Sequence, residues 1–309
     1  MSLVVVVVGP TGVGKSRLAL ELAQELGGEI VNADSRQVYR HMDIGTGKPS
    51  PRDRALVPHH LLDIVDPDQD FSLALFQPLA YQAIEAVSKR RKLPILVGGT
   101  GQYVWGVVEG WQVPRVPPDR AFRQEMEERA SREGAGAVHE ELRALDPGAA
   151  SRIDPRNVRR AIRALELARA GVRGREKRPP LHEFAIIGLT APRDELYARI
   201  DRRVDDMISR GWVEEVRGLL EKGYGLSLPA LSSVGYREIA CHVKGEFGLP
   251  QAIQRIKYAT HRFARRQYAW FRLGDSRIRW LQAEGAEAEG AVALVKEALE
   301  VHQAAGIGE

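Results

Sequence analysis

The chain has 309 residues, of which 44% are hydrophobic and 28% are charged, with a formal net charge of +4. These proportions describe an ordinary globular protein with a substantial core, and they exclude an intrinsically disordered chain. No apolar run approaches the roughly 20 residues that span a bilayer, so we expect no membrane segment. Cys241 is the only cysteine, which excludes an intrachain disulfide and predicts a reducing, cytoplasmic setting.

The first hundred residues alternate between strand-like and helix-like segments. Leu3–Val8 is an apolar run rich in valine and predicts a strand buried on both faces, and Arg17–Leu26 then shows a helical apolar stripe. Glu29–Ala33 predicts a second strand, Phe71–Arg91 a second helix and Leu93–Val97 a third strand. This alternation predicts an α/β fold with a parallel sheet, whose ligands bind at the carboxyl ends of the strands.

The sequence changes character after about Trp111. Asp119–Leu167 predicts successive charged helices, and Phe184–Thr190 returns to an apolar strand pattern. We therefore expect two parts: a catalytic α/β core formed by residues 1–112 and 181–309, and an all-helical insertion at residues 113–180.

The C-terminal half is predicted to be mainly helical. Pro192–Lys222 and Leu249–Phe271 each predict one long helix, and Glu284–Glu309 predicts a helical tail. The aromatic residues of the Leu249–Phe271 helix recur at helical spacing, so we expect them to pack in the core.

Basic residues are concentrated in two stretches. From Arg152 to Arg178 the chain has ten basic and three acidic residues, and from Arg255 to Arg279 it has eight basic and one acidic residue. Such local excess suits a polyanionic partner, although solvated helix faces would also account for it.

A glycine-rich segment after the first strand matches the pattern G-x-x-x-x-G-K-[ST]. Its residues are Gly9, Pro10, Thr11, Gly12, Val13, Gly14, Lys15 and Ser16. In this pattern backbone amides and a helix N-terminus hold phosphates, the lysine reaches the terminal phosphate, and the serine hydroxyl is placed for a magnesium ion. The pattern predicts a P-loop NTPase-like sheet flanked by helices, but it leaves the reaction open.

Asp34 follows the second predicted strand and opens the segment Asp34–Tyr39, which is dense in groups suited to hydrogen-bonding a nucleobase edge. A carboxylate beside an exocyclic amine can accept its proton as the nitrogen becomes a nucleophile. Two alternatives stay open for Asp34: a magnesium-binding aspartate, or a capping residue in a βα loop.

Eight motifs follow one another in a fixed order. They are the segments 9–16, 34–39, 45–49, 59–63, 98–103, 159–166, 234–238 and 265–272. Together they closely resemble the bacterial tRNA dimethylallyltransferases, also called tRNA isopentenyltransferases, and the likeness runs from Val4 to about Arg272.

This resemblance implies transfer of a dimethylallyl group from dimethylallyl diphosphate to N6 of the adenosine immediately 3′ of the anticodon. The phosphate loop would then hold a diphosphate leaving group with Mg²⁺, and the partner would be a tRNA anticodon stem-loop. We expect the protein to act as a monomer, away from membranes.

The resemblance also implies roles for individual residues. Asp34 would be the general base, and Thr100 would contact both the reacting centre and the diphosphate. Lys15, Ser16 with magnesium, and an arginine would stabilise the departing diphosphate. Arg203 is preferred over Arg199 for that arginine. The segments expected to contact tRNA comprise Asp34, Ser35, Arg36, Gln37, Thr100, Arg123, Arg159, Arg160, Ala161, Ile162 and Arg163.

Three other classes of protein share some of these features. A nucleoside or metabolite kinase has the same loop but does not account for the arginine-rich insertion. A GTPase-like RNA-binding module would need an Asn/Thr-Lys-x-Asp segment, which we do not find. An isopentenyltransferase acting on free adenine nucleotides has less need of the insertion and the basic surfaces.

Overall fold

The computed structural model describes residues 1–114, 116–172, 179–283 and 287–306. Residues 305 and 306 are described by their backbone alone. The chain divides into two compact units. Met1–Glu109 and Pro180–Glu309 form the first, called here the core unit, and Gly110–Pro179 forms the second, called the helical unit. Part of the basic stretch predicted up to Arg178, and residues 284–286 and 307–309 of the predicted tail, lie outside the described residues.

The core unit is built on a six-stranded sheet in the order β3-β2-β4-β1-β5-β6, and every neighbouring pair is parallel. The strands are β1 Leu3–Val8, β2 Gly28–Asn32, β3 His59–His60, β4 Leu93–Val97, β5 Glu183–Thr190 and β6 Ile278–Gln282. The predicted α/β fold with a parallel sheet is therefore confirmed. Strands β3 and β6 were not predicted.

Helices cover both faces of this sheet. Those of the core unit are α1 Lys15–Leu26, α2 Pro51–Leu56, α3 Leu73–Lys89, α4 Gly101–Val108, α9 Arg193–Ser209, α10 Trp212–Glu221, α11 Tyr236–Val243, α12 Leu249–Trp270 and α13 Glu287–Gly306. Those of the helical unit are α5 Arg120–Glu133, α6 Ala135–Leu145, α7 Pro147–Ala150 and α8 Val158–Arg169. Within the described ranges, no helix combines the length and apolar character needed to cross a membrane.

Strand β1 lies at the centre of the sheet and explains the valine run. Val5 pairs with Ile95 of β4 on one side and with Ala185 of β5 on the other. All six residues of β1 are buried, as expected for a strand covered on both faces. This position brings the loop after β1 to the middle of the carboxyl edge, between the ends of β4 and β5.

One expectation about the C-terminal helices is wrong, and another holds only in part. The segment Pro192–Lys222 forms two helices, because Gly211 adopts φ 96° and ends the helical path between α9 and α10. Of the aromatic residues on α12, Tyr268 packs against the core as expected, whereas Tyr258 and Trp270 are 64% and 43% exposed. The buried residues of α12 are Ala252, Ile256, Ala264 and Gln267.

The helical unit has its own hydrophobic core. The buried residues of this cluster are Phe122, Met126, Val138, Leu142, Ala150, Ala161, Ile162 and Leu165. The helix ends are fixed locally, since Asp119 accepts a hydrogen bond from Phe122 N and Asn157 accepts one from Arg160 N.

Candidate functional site

The glycine-rich loop connects β1 to α1 and forms a cradle for an anion. Gly9 and Gly12 have φ of 140° and 81°, and a Cβ at these positions would overlap the Leu189 carbonyl and the Ile200 side chain, respectively. Gly14 at φ 107° precedes Lys15, the first residue of α1. The first amides of a helix have no acceptor within the helix, so they point a partial positive charge at whatever lies in the cradle.

Lys15 crosses this loop. Its Nζ donates a hydrogen bond of 2.8 Å to the carbonyl oxygen of Pro10. Burial lowers the pKa of Lys15 to about 8, an effect that Asp34 opposes and Arg203 reinforces. A half-buried ammonium held by one backbone carbonyl is a group that an incoming phosphate can readily engage.

Two cavities meet beside the cradle. The first, of about 420 Å³, includes Gly12, Lys15, Ser16 and Gln37 in its lining. The second, of about 470 Å³, is lined in part by Ser35, Arg36, Thr100, Phe263 and Trp270. Residues that line both cavities are Thr11, Asp34, Thr46, Gly99 and Arg203. A carboxylate and a guanidinium therefore stand at the boundary between the cavity beside the glycine-rich loop and a cavity with aromatic walls.

The loop after β2 fixes the carboxylate of Asp34. Its Oδ1 accepts a hydrogen bond of 2.8 Å from Arg36 N, and its own amide donates to Asn32 Oδ1 at 3.0 Å. The next residue, Ser35, contacts the segment after β4, because Thr100 Oγ1 accepts a hydrogen bond of 3.0 Å from Ser35 N. In the described chain Oδ2 of Asp34 makes no hydrogen bond, which leaves that oxygen available to a ligand.

Gln267, on α12, ties the two sides of the cleft together. Its Oε1 accepts a hydrogen bond of 2.7 Å from Thr11 N, and its Nε2 donates one of 2.8 Å to Gly99 O. The residue is only 3% exposed. The same side chain thus holds the phosphate loop and the segment before Thr100 at a fixed separation.

A second anchored segment, residues 43–48, forms part of the wall of both cavities. Glu215 accepts hydrogen bonds from Asp43 N and Ile44 N at 2.8 and 2.6 Å. The buried Lys48 pairs with Asp43 and Asp63 at 2.8 and 2.5 Å. Together these bonds hold the wall of the cavities in place.

The geometry separates the two arginines considered for the diphosphate. Arg203 lines both cavities. Arg199, one helical turn earlier, donates to Ala283 O at 2.5 Å and pairs with Glu195. Of the predicted loop residues, Thr11, Gly12, Gly14, Lys15 and Ser16 line the first cavity, whereas Gly9, Pro10 and Val13 are buried.

The residues predicted in the helical unit fall into three groups. Arg123 and Arg163 bind the buried carboxylate of Glu166, at 2.7–2.9 Å and 2.8 Å. These two guanidinium groups and the Asp119 amide lower the pKa of Glu166 to about 2, although burial alone would raise it. Arg159 and Arg160 are exposed. Ala161 and Ile162 are 0% and 2% exposed and belong to the core of this unit.

Sequence reasoning missed several residues of the second cavity, among them Phe263, Arg266, Gln267 and Trp270. All four lie in or next to the motif 265–272, which carried the resemblance, but the helical spacing suggested a core role for the aromatic residues. In the folded structure the Trp270 ring packs against Gly101, where a Cβ would overlap the ring. The glycine at position 101 is the one indirect sign in the sequence that a bulky side chain approaches this segment.

A parallel sheet with an anion cradle after its central strand, an acidic residue after the neighbouring strand and a second cavity alongside defines an α/β protein of the P-loop class. The family model described as IPP transferase matches residues 37–274, and the one described as isopentenyl transferase matches residues 2–56. The chain belongs to the IPP transferase family, which confirms the resemblance identified from the motifs.

Similarity to known proteins, in sequence and in structure, supports this membership. The tRNA dimethylallyltransferase of Roseiflexus castenholzii is 55% identical over 270 residues, which cover 86% of this chain and 88% of that protein. The full-length tRNA isopentenylpyrophosphate transferase of Bacillus halodurans has a TM-score of 0.74 at 37% identity, with 99% of both chains covered. A eukaryotic dimethylallyltransferase acting on tRNA has a TM-score of 0.81 at 26% identity, covering 97% of this chain and 80% of that one.

Proposed function

We propose that this chain transfers a dimethylallyl group from dimethylallyl diphosphate to N6 of the adenosine immediately 3′ of the anticodon in tRNA. The observation that carries the proposal is the position of Asp34 and Arg203, which line both cavities. A diphosphate in the cradle and a base in the second cavity would meet between these two side chains. Transfer forms a carbon–nitrogen bond, breaks the carbon–oxygen bond of the donor and releases diphosphate and a proton.

The cradle accounts for the leaving group. As the carbon–oxygen bond breaks, negative charge accumulates on the diphosphate, and groups fixed in advance around it lower the barrier. Lys15 and Arg203 supply two positive charges, and the amides at the start of α1 supply partial ones. Lys15 changes its acceptor from the Pro10 carbonyl to a phosphate oxygen.

Magnesium fits this cradle as an ion shared with the substrate. Among the residues that the structure describes, no three His, Cys, Asp or Glu side chains are grouped as a metal site. Mg²⁺ commonly keeps several waters and takes one or two protein oxygens together with substrate phosphates. The exposed hydroxyl of Ser16 is suited to this, and the ion would neutralise charge on the diphosphate.

The second cavity accounts for the acceptor. An adenine stacked within an RNA loop must be turned out to reach a pocket, and unpaired loop bases are the usual targets of RNA recognition. Trp270 and Phe263 offer aromatic surface there. We assign Asp34 as the base that receives the N6 proton, and Thr100 as a group that positions the Ser35 side of the cavity, from its hydrogen bond to Ser35 N.

We assign the segment 34–37 to tRNA contacts, with the helical unit as the second tRNA-binding domain. Ala161 and Ile162, also expected at that contact, are buried in the core of this unit and are not assigned to it. In that unit Arg159 and Arg160 carry the assignment, because both are exposed. Arg123 and Arg163 bind Glu166, so their role is to hold α5, α8 and the chain near Val116 in register. A tRNA substrate supports the expected cytoplasmic location. We further propose that the chain acts as a monomer, which light scattering tests.

The function is tested by mixing the protein with labelled dimethylallyl diphosphate, magnesium and an anticodon stem-loop carrying adenosines at and beside the target position. We expect label on the single adenosine 3′ of the anticodon. Parallel reactions contain AMP or ATP in place of RNA. Label on the free nucleotide and not on RNA would favour an isopentenyltransferase of free nucleotides, and phosphate transfer from ATP would favour a kinase.

A further inference from the structure

A third cavity of the core unit lies outside the site described above. It has a volume of about 1030 Å³ and is lined by residues of α9, α11 and α12 and of the segment between α11 and α12. Five arginines line it, namely Arg193, Arg237, Arg255, Arg262 and Arg265. We call this cavity the arginine groove. None of its residues is needed for the chemistry assigned to the cradle.

The five arginines are exposed, and in the described chain none of them forms an ion pair. Two instead lie over aromatic rings: Arg193 over Tyr197 at 5.2 Å and Arg255 over Phe247 at 4.4 Å. The two carboxylates of the lining are Glu238, whose Oε2 accepts a hydrogen bond from Gly235 N, and Glu246. Positive charge therefore exceeds negative charge in the groove by three, without counting His261.

Helix α12 contributes residues to both the groove and the second cavity. Arg262 lines the groove, and Arg266, one helical turn further, lines the second cavity. From Arg255 to Arg266 the helix rises about 16 Å at its standard 1.5 Å per residue. Tyr258 lies between these arginines on the helix and is 64% exposed, which gives the groove a free aromatic face.

A row of unpaired guanidinium groups beside an exposed tyrosine is suited to a phosphodiester backbone with unstacked bases. We propose that the arginine groove binds the sugar–phosphate backbone of the RNA next to the base held in the second cavity. This proposal rests on the proposed function, since it extends the RNA contact from the reacting adenosine along α12. Arg255, Arg262 and Tyr258 are its diagnostic residues.

The test measures binding of a fluorescent anticodon stem-loop between 50 and 300 mM KCl. The variant is Arg255→Gln with Arg262→Gln. The control is Arg217→Gln with Lys222→Gln, which removes the same charge from α10 and from the residue that follows it. Each phosphate contact contributes a slope of about 0.7–0.9 to log K against log [salt]. We expect the slope of the groove variant to fall by about 1.5 and the slope of the control to remain that of the wild type.

Steady-state kinetics provide the second readout. In the groove variant we expect the KM for tRNA to rise about tenfold while kcat and the KM for dimethylallyl diphosphate stay unchanged. Tyr258→Ala is expected to weaken RNA binding several-fold with the salt slope unchanged. A groove variant with the slope and KM of the control would overturn the proposal, as would an equal loss of affinity for a DNA duplex of the same length.

The outcomes also separate this proposal from the proposed function. If the wild type prenylates the stem-loop and the salt slope of the groove variant does not change, only the groove assignment fails. If the slope changes but the wild type does not prenylate RNA, the groove binds RNA and the proposed function is wrong.

Discussion

Gln267 Oε1 accepts a hydrogen bond of 2.7 Å from the backbone amide of Thr11, so the phosphate loop is held by a side chain 256 residues further along the chain. The side-chain Nε2 of Gln267 donates a hydrogen bond to Gly99 O. One side chain therefore sets the distance between the diphosphate cradle and the segment that presents Thr100.

Replacing Gln267 by leucine is expected to lower kcat about 10- to 100-fold. The substitution leaves Thr11 N and Gly99 O without a partner in a buried place, and misplacement of the loop by a fraction of an ångström weakens alignment of the reacting groups. The measurement is single-turnover prenylation of a stem-loop. Gln254→Leu, at an exposed position of α12, serves as the control, and equal rates in the two variants would contradict the role.

The second prediction concerns the proton linked to Lys15. With its pKa at about 8, roughly three quarters of Lys15 is neutral at pH 8.5 before the ligand binds. Dimethylallyl diphosphate favours the charged form, so its binding is expected to take up about 0.7 proton per site at that pH. Calorimetry in buffers of different ionisation enthalpy measures this uptake. Lys15→Arg stays charged throughout and is expected to take up none.

Asp34 offers a substitution that preserves its turn. In Asp34→Asn the side-chain oxygen still accepts the hydrogen bond from Arg36 N, but the side chain no longer accepts a proton from N6. We expect turnover to fall by a factor of about 10²–10⁴, with RNA affinity within a few-fold of the wild type. Asp34→Ala is expected to show the same loss, and a near-normal rate in either variant would remove Asp34 from the role of base.

The two arginines of α9 form a matched pair for testing the leaving-group assignment. Arg203→Gln is expected to lower kcat at least 100-fold, since it removes a charge from the cavity boundary. Arg199→Gln, whose partners are Glu195 and Ala283 O, is expected to reduce stability slightly and to leave kcat within about threefold. The reverse ranking would reassign the role to Arg199.

The lowered pKa of Glu166 predicts that the free energy of unfolding falls in acid. Its pKa falls from 4.5 in the unfolded chain to about 2 in the folded one, so the folded state binds fewer protons between these values. The ionised Glu166 therefore contributes about 3 kcal/mol to the free energy of unfolding above pH 4.5, and this contribution is lost as the pH falls towards 2. Denaturant unfolding at pH 3–7 measures it. Glu166→Gln is expected to flatten the pH dependence, and the exposed Glu127→Gln to leave it unchanged.

The parts of the fold that are determined by residues adjacent in the sequence were predictable. Leu3–Val8 and Leu93–Val97 have the predicted bounds because buried central strands are continuous apolar runs. The edge strand β6, Ile278–Gln282, was missed because it is short and its apolar residues are interrupted by the exposed Arg279 and followed by the exposed Gln282. The break before α10 depends on the backbone angle of one glycine, Gly211, and helical spacing does not reveal it.

The candidate site divides in the same way. The loop 9–16 and Asp34 were located because each directly follows a strand, and carboxyl ends of parallel strands meet at one edge. Gln267 was not assigned, since its partners are Thr11 and Gly99, and only the folded chain brings a helix at residues 249–270 against both loops. The exposed aromatic residues of α12 were misread for the same reason, because cavity walls and core faces share one helical spacing.

The pairing of β5 with β6 has a consequence for how the chain is made. Until residues 278–282 have left the ribosome, the outer edge of β5 offers unpaired amides and carbonyls to any other extended segment. Helix α13, with Ala291 and Val295 fully buried, then closes over the finished sheet. A stop codon or a proteolytic cut shortly after the motif 265–272 would spare every residue assigned to catalysis, yet it would yield a truncated protein prone to aggregate.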